Sequence, residues 1–256
     1  MKYLVSAQSD VGTTKATNQD SVCVKVANTK AHGQVAMAIL CDGMGGLEKG
    51  EVASATATHA FSEWFLKTLP KRLSDFDCEI ISIELCRLVE ELNERIWDFG
   101  KVTGFKLGTT LSLILFVESQ YIIVHVGDTR IYEISDEIKQ LTTDQTFIAR
   151  EIKRGNMTEE EAKQDPRRNM LLQCVGASEV VEPEIIIGKI TPNSVIMLCS
   201  DGFRHELTEK EIYEKFNFAV LNDEQIMVSN SGMLIDEVKK RGETDNISVA
   251  LVKITE

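Results

Sequence analysis

Short runs of β-branched and large apolar residues recur from one end of this chain to the other, at 3–6, 22–26, 35–41, 110–117, 121–126, 131–134, 185–187, 195–198 and 247–252. Runs of this length and composition read as strands, and their number demands a large sheet or two. Helical patterns interrupt them at 51–68, 78–99 and 223–240. The first stops just before Pro70, and the second carries Leu85, Leu88, Val89, Leu92 and Ile96 at helical spacing. Capping boxes at Thr158 with Glu161 and at Thr208 with Glu211 mark two shorter helices. Because the long helices fall between groups of strands rather than after each one, the pattern predicts an α+β fold. Its expected form is a sandwich of antiparallel sheets with helices outside.

A chain of 256 residues with 43% hydrophobic content can fill one large core, so a single domain over 1–256 is expected. The segment 146–175 is polar and charged and includes Asp165-Pro166-Arg167-Arg168, which reads as an excursion from the core. Lys+Arg 28 against Asp+Glu 40 gives a net charge of −12, which argues against nucleic acid as a partner. No apolar run approaches the ~20 residues of a membrane span, and the first residues read as a strand rather than a signal peptide. No membrane association is expected, and a cytoplasmic location is. The six cysteines, at 23, 41, 78, 86, 174 and 199, lie singly in apolar stretches and read as buried thiols of a reducing compartment. Cys41 and Cys199 lie close to aspartates but lack the electropositive setting that would make a thiolate.

The chemistry is carried by where the aspartates fall. Asp42, Asp128 and Asp201 close strand runs, and each has glycine beside it in Gly43, Gly127 or Gly202. Asp20 and Asp245 open strand runs. In antiparallel sheets the end of one strand and the start of its neighbour share an edge, so all of these can meet on one rim. A single aspartate at a strand end is ordinarily a turn former. Several converging carboxylates repel one another unless cations sit among them. Oxygen donors without His or Cys suit Mg²⁺ or Mn²⁺ and disfavour zinc. The four histidines, His32, His59, His125 and His205, show no paired ligand spacing, and His205, close after Asp201, is a candidate general acid.

Taken together, Ser9-Asp10-Val11-Gly12, Lys15, Asn18-Gln19-Asp20, Asp42-Gly43-Met44-Gly45-Gly46, Gly108-Thr109-Thr110, Gly127-Asp128-Thr129-Arg130, Ser200-Asp201-Gly202 and Asp245-Asn246 resemble, in order and spacing, the metal-dependent type 2C protein phosphatases in their compact bacterial form. The resemblance implies two antiparallel sheets flanked by helix pairs, with a binuclear Mn²⁺ or Mg²⁺ centre at one edge and a weaker third site. It implies that Asp42 bridges both metals, that the Gly43 carbonyl binds one, and that Asp201 and Asp245 bind the other. Asp20 would bind directly or through water, and Asp128 with Asp201 would form the weaker site.

On the same resemblance Asp42, Asp201 and Asp245 carry catalysis, Lys15 meets the substrate phosphate, and 146–175 is a flap. A metal-activated water would hydrolyse phosphoserine and phosphothreonine in phosphorylated proteins, opposite a serine/threonine kinase. The chain lacks CxxxxxR, GxSxG and DxDx(T/V) motifs, which agrees with a route that needs no covalent phosphoenzyme. Two departures stand out: Lys15 where the family often has Arg, and Gln19 where it often has Glu. Lysine keeps the charge but loses the bidentate fork, so looser phosphate positioning is expected. The alternatives are a non-catalytic regulator on this fold and a phosphohydrolase of small molecules.

Overall fold

Residues 1–44, 49–168 and 170–255 are described, in a computed structural model. Gly45 and Gly46 of the glycine-rich motif, and Asn169 within 146–175, lie outside the described residues. In chain order the elements are β1 (Lys2–Asp10), β2 (Asp20–Thr29), β3 (Gly33–Asp42), α1 (Gly50–Lys67), α2 (Leu69–Arg72), α3 (Cys78–Thr103), β4 (Leu111–Val117), β5 (Gln120–Val126), β6 (Arg130–Ile134) and β7 (Ile138–Gln140). There follow α4 (Phe147–Lys153), α5 (Glu159–Gln164), β8 (Glu184–Lys189), β9 (Ser194–Cys199), α6 (Asp201–Arg204), α7 (Glu209–Phe216), α8 (Glu224–Lys240) and β10 (Ile247–Thr255).

The strands form two five-stranded sheets, ordered β1-β10-β9-β6-β7 and β2-β3-β4-β5-β8, with every pairing antiparallel. Their alternation sorts the core into layers. Ala36, Ala38 and Leu40 of β3 face Ile196, Leu198, Ala250 and Val252 of the other sheet, while Met37, Ile39 and Cys41 turn outward against Phe61 of α1 and Leu85 of α3. On the opposite outer face Met197, Cys199 and Leu251 meet Phe216 of α7 and Met227 of α8. Strands buried on both faces read as unbroken apolar runs rather than alternating ones, which is how β3, β4 and β9 appear in the sequence. The expected sandwich with helices outside is the fold.

Local signals set the helix ends. Asp77 caps α3 by accepting from the backbone N–H groups of Glu79 and Ile80, and Gly104 stops it with φ +77°, a left-handed turn that favours glycine. Both capping boxes form as expected, at α5 and at α7. The segment after β7 leaves the sandwich and returns to its starting point. Phe147 N–H donates to Met170 O at 2.8 Å, and Leu172 N–H donates to Gln145 O at 2.8 Å, which closes a short antiparallel stem around α4 and α5. Among the described residues no helix is long and apolar enough to cross a membrane.

Candidate metal centre

Hairpin register brings the first two aspartates together. In the β2–β3 pair Asp20 lies directly opposite Asp42, so the two side chains share a face at the sheet edge. Like charges placed this way repel, and a fold keeps such a pair only if something compensates it. Asp42 is braced from behind. Its N–H donates to Thr110 Oγ1 at 2.9 Å, while its carbonyl accepts from Thr110 N–H at 2.8 Å and from Thr109 Oγ1 at 3.0 Å.

Gly43 follows at a crossing of chains, where its N–H donates to Gln19 O at 3.0 Å. A Cβ on Gly43 would lie 2.5 Å from both Gln19 O and the Gly50 carbonyl, so only glycine lets these segments touch. Gln19 works here through its backbone, with its side-chain amide reaching Glu51 Oε2 at 3.5 Å.

The other sheet supplies Asp201, which opens α6 after β9, and Asp245, which precedes β10. Gly202 sits so close to this segment that a Cβ on it would meet Asn246 O at 2.2 Å. Asn246 ties the two sheets' loops together, since its Oδ1 accepts from Gln19 N–H at 2.9 Å and its Nδ2 donates to Val11 O at 2.9 Å. Glu243 orients Asp245 by accepting its N–H at 2.9 Å. Lys15 rides on the loop that Asn246 anchors, and its Nζ is 3.0 Å from Asp245 Oδ1. The cation expected to meet phosphate therefore stands at the aspartate rim.

Asp128, in the turn from β5 to β6, bridges the sheets. It lines a recess of about 220 Å³ with Arg130, Asp144, Arg168, Arg204 and His205, beside a second recess of about 530 Å³ lined by Asp201, Asp245, Glu243, Arg168 and His205. Arg168 and His205 thus stand where the two recesses meet. Arg167 does not reach them. It forks onto Asp165 at 2.9 and 2.7 Å and stacks on Phe147, 4.1 Å from the ring centre. The sequence reading singled out Arg167 and Arg168 together without separating them and missed Glu243 and the tie made by Asn246, which carried a local signal only as the neighbour of Asp245 in a recognised motif.

The electrostatics of the rim follow from crowding. Burial pushes the Asp42 carboxyl well above its ordinary range, and Asp20, Asp201, Asp128 and Asp245 push it further. Asp20 is raised to about 7 by burial and then by Asp201 and Asp245, and Asp128 is raised to about 6 by burial and then by Asp201. Both carboxylate oxygens of Asp20, and Oδ1 of Asp201, are shut off from solvent with no hydrogen-bond partner. The Ser248 and Ser200 hydroxyls lie near enough to Asp20 to favour its charge, but neither reaches its oxygens in hydrogen-bond geometry.

Orphaned anionic oxygens this buried cost several kcal/mol unless a cation joins them. Among the described residues no three Asp, Glu, His or Cys side chains already close around one point. A hard dication does not require such a cage, since it can hold on through one or two carboxylates with carbonyl and water oxygens in its remaining positions.

Known proteins bear on this geometry directly. The family model described as Protein phosphatase 2C matches residues 12–228. A Streptococcus pyogenes protein named for the 2C type of protein phosphatase is 34% identical over 251 residues, which covers 97% of this chain and 96% of that protein. The solved Streptococcus agalactiae serine/threonine phosphatase superposes with a TM-score of 0.83 at 31% identity, covering 99% of this chain and 100% of that one. The catalytic domain of the serine/threonine protein phosphatase PstP, solved in complex with two manganese ions, superposes with a TM-score of 0.76 at 28% identity and covers all of both chains. A shared sandwich, a relative 34% identical over nearly the whole chain and a family match over most of it lead to one conclusion: this chain belongs to the protein phosphatase 2C family.

Proposed function

We propose that the aspartate rim holds two Mn²⁺ or Mg²⁺ ions and that with them this phosphatase hydrolyses phosphoserine and phosphothreonine in proteins. The observation that carries this reading is the set of solvent-free, unpartnered oxygens on Asp20 and Asp201 beside a strongly raised Asp42. Asp42 stands opposite Asp20 of its own sheet and feels the charge of Asp201 of the other, and in this reading its carboxylate serves both ions. The Gly43 carbonyl and Asp20 would complete one site, and Asp201 with Asp245 the other. Asp128 with Asp201 would form a weaker third. When bound, such ions provide a water nucleophile at neutral pH and neutralise charge on the phosphoryl group.

The chain's own residues do the rest. Lys15, now 3.0 Å from Asp245 Oδ1, would offer a point charge to a phosphate oxygen, and Asp245 would be one of the residues that hold a metal. His205, with Nδ1 3.8 Å from Glu243 Oε2, faces the larger recess and is placed to pass a proton to the departing serine or threonine oxygen. In this reading the excursion around α4 and α5 is a flap subdomain, and Arg168, which lines both recesses, would meet a protein substrate beyond its phosphate. Substrates would be phosphoproteins, opposed by a serine/threonine kinase, as the family's bacterial members imply.

The intact set of rim aspartates favours catalysis over a purely binding role. Hydrolysis of p-nitrophenyl phosphate and of phosphothreonine peptides should vanish in excess chelator and return with Mn²⁺ or Mg²⁺. Activity undiminished by chelation would refute the reading.

A further inference from the structure

On the far side of the segment that braces Asp42, the end of α3 and the loop after it enclose a cleft of about 500 Å³. That is ample for a two-ring ligand. The rings of Trp97 and Phe105 form part of its wall, and Lys101 and Lys106 contribute cations. Lys101 Nζ lies 4.9 Å from the Trp97 ring centre, and Lys49 Nζ lies 5.8 Å from that of Phe105. Among the described residues no carboxylate lines this cleft and Lys106 has no ion-pair partner, although Asp98 Oδ1 lies 3.8 Å from Lys101 Nζ beside it. The Trp97 indole N–H is shut off from solvent and has no acceptor, so what this residue offers the cleft is ring surface. Two aromatic faces supply apolar contact at small entropic cost, and the ammonium groups select for negative charge.

The cleft floor is continuous with the metal rim. Leu107 and Gly176 line it, and the residues next to them brace the rim. Gly108 O accepts from Met44 N–H at 3.1 Å, and Thr109 and Val175 exchange backbone bonds of 3.0 and 2.9 Å. Thr109 Oγ1 then donates to Asp42 O at 3.0 Å. Gly176 is held from the other side, where its N–H donates to Asn93 Oδ1 of α3 at 2.7 Å and a Cβ on it would meet the Ile96 side chain at 2.3 Å. An occupant that displaced the end of α3 would therefore move Val175 and Thr109, and with them the backbone behind Asp42.

We propose that this cleft is an effector site for a small aromatic carboxylate, and that its occupancy is coupled to metal binding at the rim. Binding stands independently of the hydrolytic reading, whereas the coupling rests on the assignment of Asp42 as a metal ligand. Reciprocity then requires the metal to change the effector's affinity by the same factor as the effector changes the metal's.

The test is calorimetric titration of 2-naphthoate into the full chain, with and without Mg²⁺, alongside neutral 2-naphthamide and the double variant Lys101→Glu, Lys106→Glu. These lysines are exposed and outside the phosphatase machinery, so the variant should fold and hydrolyse p-nitrophenyl phosphate as the wild type does. Saturable one-to-one binding of naphthoate is expected. Both the double variant and the naphthamide should weaken it by about fivefold to tenfold, and Mg²⁺ should shift it by about fivefold.

Absent binding, or binding equal for naphthamide and unchanged by the variant, overturns the site. Naphthoate binding that ignores Mg²⁺, in protein shown by the same calorimeter to bind Mg²⁺, overturns the coupling. Failure of Mg²⁺ to bind at all, with naphthoate bound normally, counts against the hydrolytic reading and not against the cleft.

Discussion

Two groups of buried carboxylates sit at the same edge of the sandwich and are in opposite electrostatic states. Asp144 receives the Arg130 guanidinium through bonds of 2.8 and 2.7 Å, a Gln140 amide at 3.0 Å, and Arg204 at 3.8 Å. Burial works against its charge, yet the Arg130 fork holds the carboxyl below its ordinary range. Asp20 and Asp42 are as deeply set and, among the described residues, pair with no cation, and their carboxyls are pushed up. Burial is thus common to both groups, and what separates them is the source of the neutralising charge. Two arginines meet Asp144, whereas oxygens of Asp20 and Asp201 have no partner, and in the proposed reading the first carboxylate is structural and the rim receives ions from solution.

The largest effect that would test this contrast is loss of the shared rim charge. Asp42→Asn removes a carboxylate placed between both proposed ions, and hydrolysis of p-nitrophenyl phosphate should fall by roughly 10³-fold or more. Urea unfolding of the metal-free variant should show stability equal to or above that of metal-free wild type, because a repulsive charge has gone. A variant that stays active, or that unfolds more easily without metal, would make the rim a structural network like that of Asp144.

Lys15 sharpens the boundary between the groups, as the cation that the rim does receive. Lys15→Ala should cost about 1.5 to 3 kcal/mol in kcat/KM on phosphopeptides, the worth of one charge-assisted hydrogen bond. Unchanged kinetics would reduce Lys15 to a partner of Asp245 alone.

At Asp144 the expected loss is in folding rather than rate. Asp144→Asn should destabilise the protein by about 2 kcal/mol at pH 7. The sign of the pH dependence follows from the lowered carboxyl. The ion pair contributes fully above the unfolded value of about 3.9, and its contribution is lost as pH falls through the lower folded value. Denaturant unfolding of wild type and variant from pH 7 downward should therefore converge in acid, and a gap that persists there would argue against the ion pair as its cause.

The smallest effect concerns the flap. Arg168→Ala should lower turnover of phosphoproteins severalfold and leave p-nitrophenyl phosphate almost untouched, while Arg167→Ala, which breaks the Asp165 fork and the Phe147 stack, should reduce both alike by loosening the flap. Equal losses on both substrates for Arg168→Ala would place that residue in the scaffold.

Much of this contrast was legible along the chain because it depends on local signals. Apolar runs named the strands, the capping boxes named α5 and α7, and aspartates at strand ends named the rim. The pairing of Asp20 with Asp42 was within reach too, since counting outward from the turn at 30–32 sets the hairpin register. Other features were hidden for physical reasons. β7 is only three residues long with one apolar side chain, Ile138, and forms because β6 offers it an edge. The Asp144 network joins residues from β6, the loop after β7, and α6, which no local pattern connects. Arg167 and Arg168 are adjacent and chemically alike, and only the packing of Phe147 decides which of them faces the site.

Calorimetric titration of Mn²⁺ into chelator-stripped protein measures the central distinction most directly. Wild type should bind two ions tightly, Asp128→Asn should keep that pair and lose only weaker binding, and Asp42→Asn should lose the tight pair. Tight binding that survives in Asp42→Asn, or isotherms that ignore both substitutions, would mean that the unpartnered oxygens of the rim are not the ion receptor and that its aspartates are turn formers.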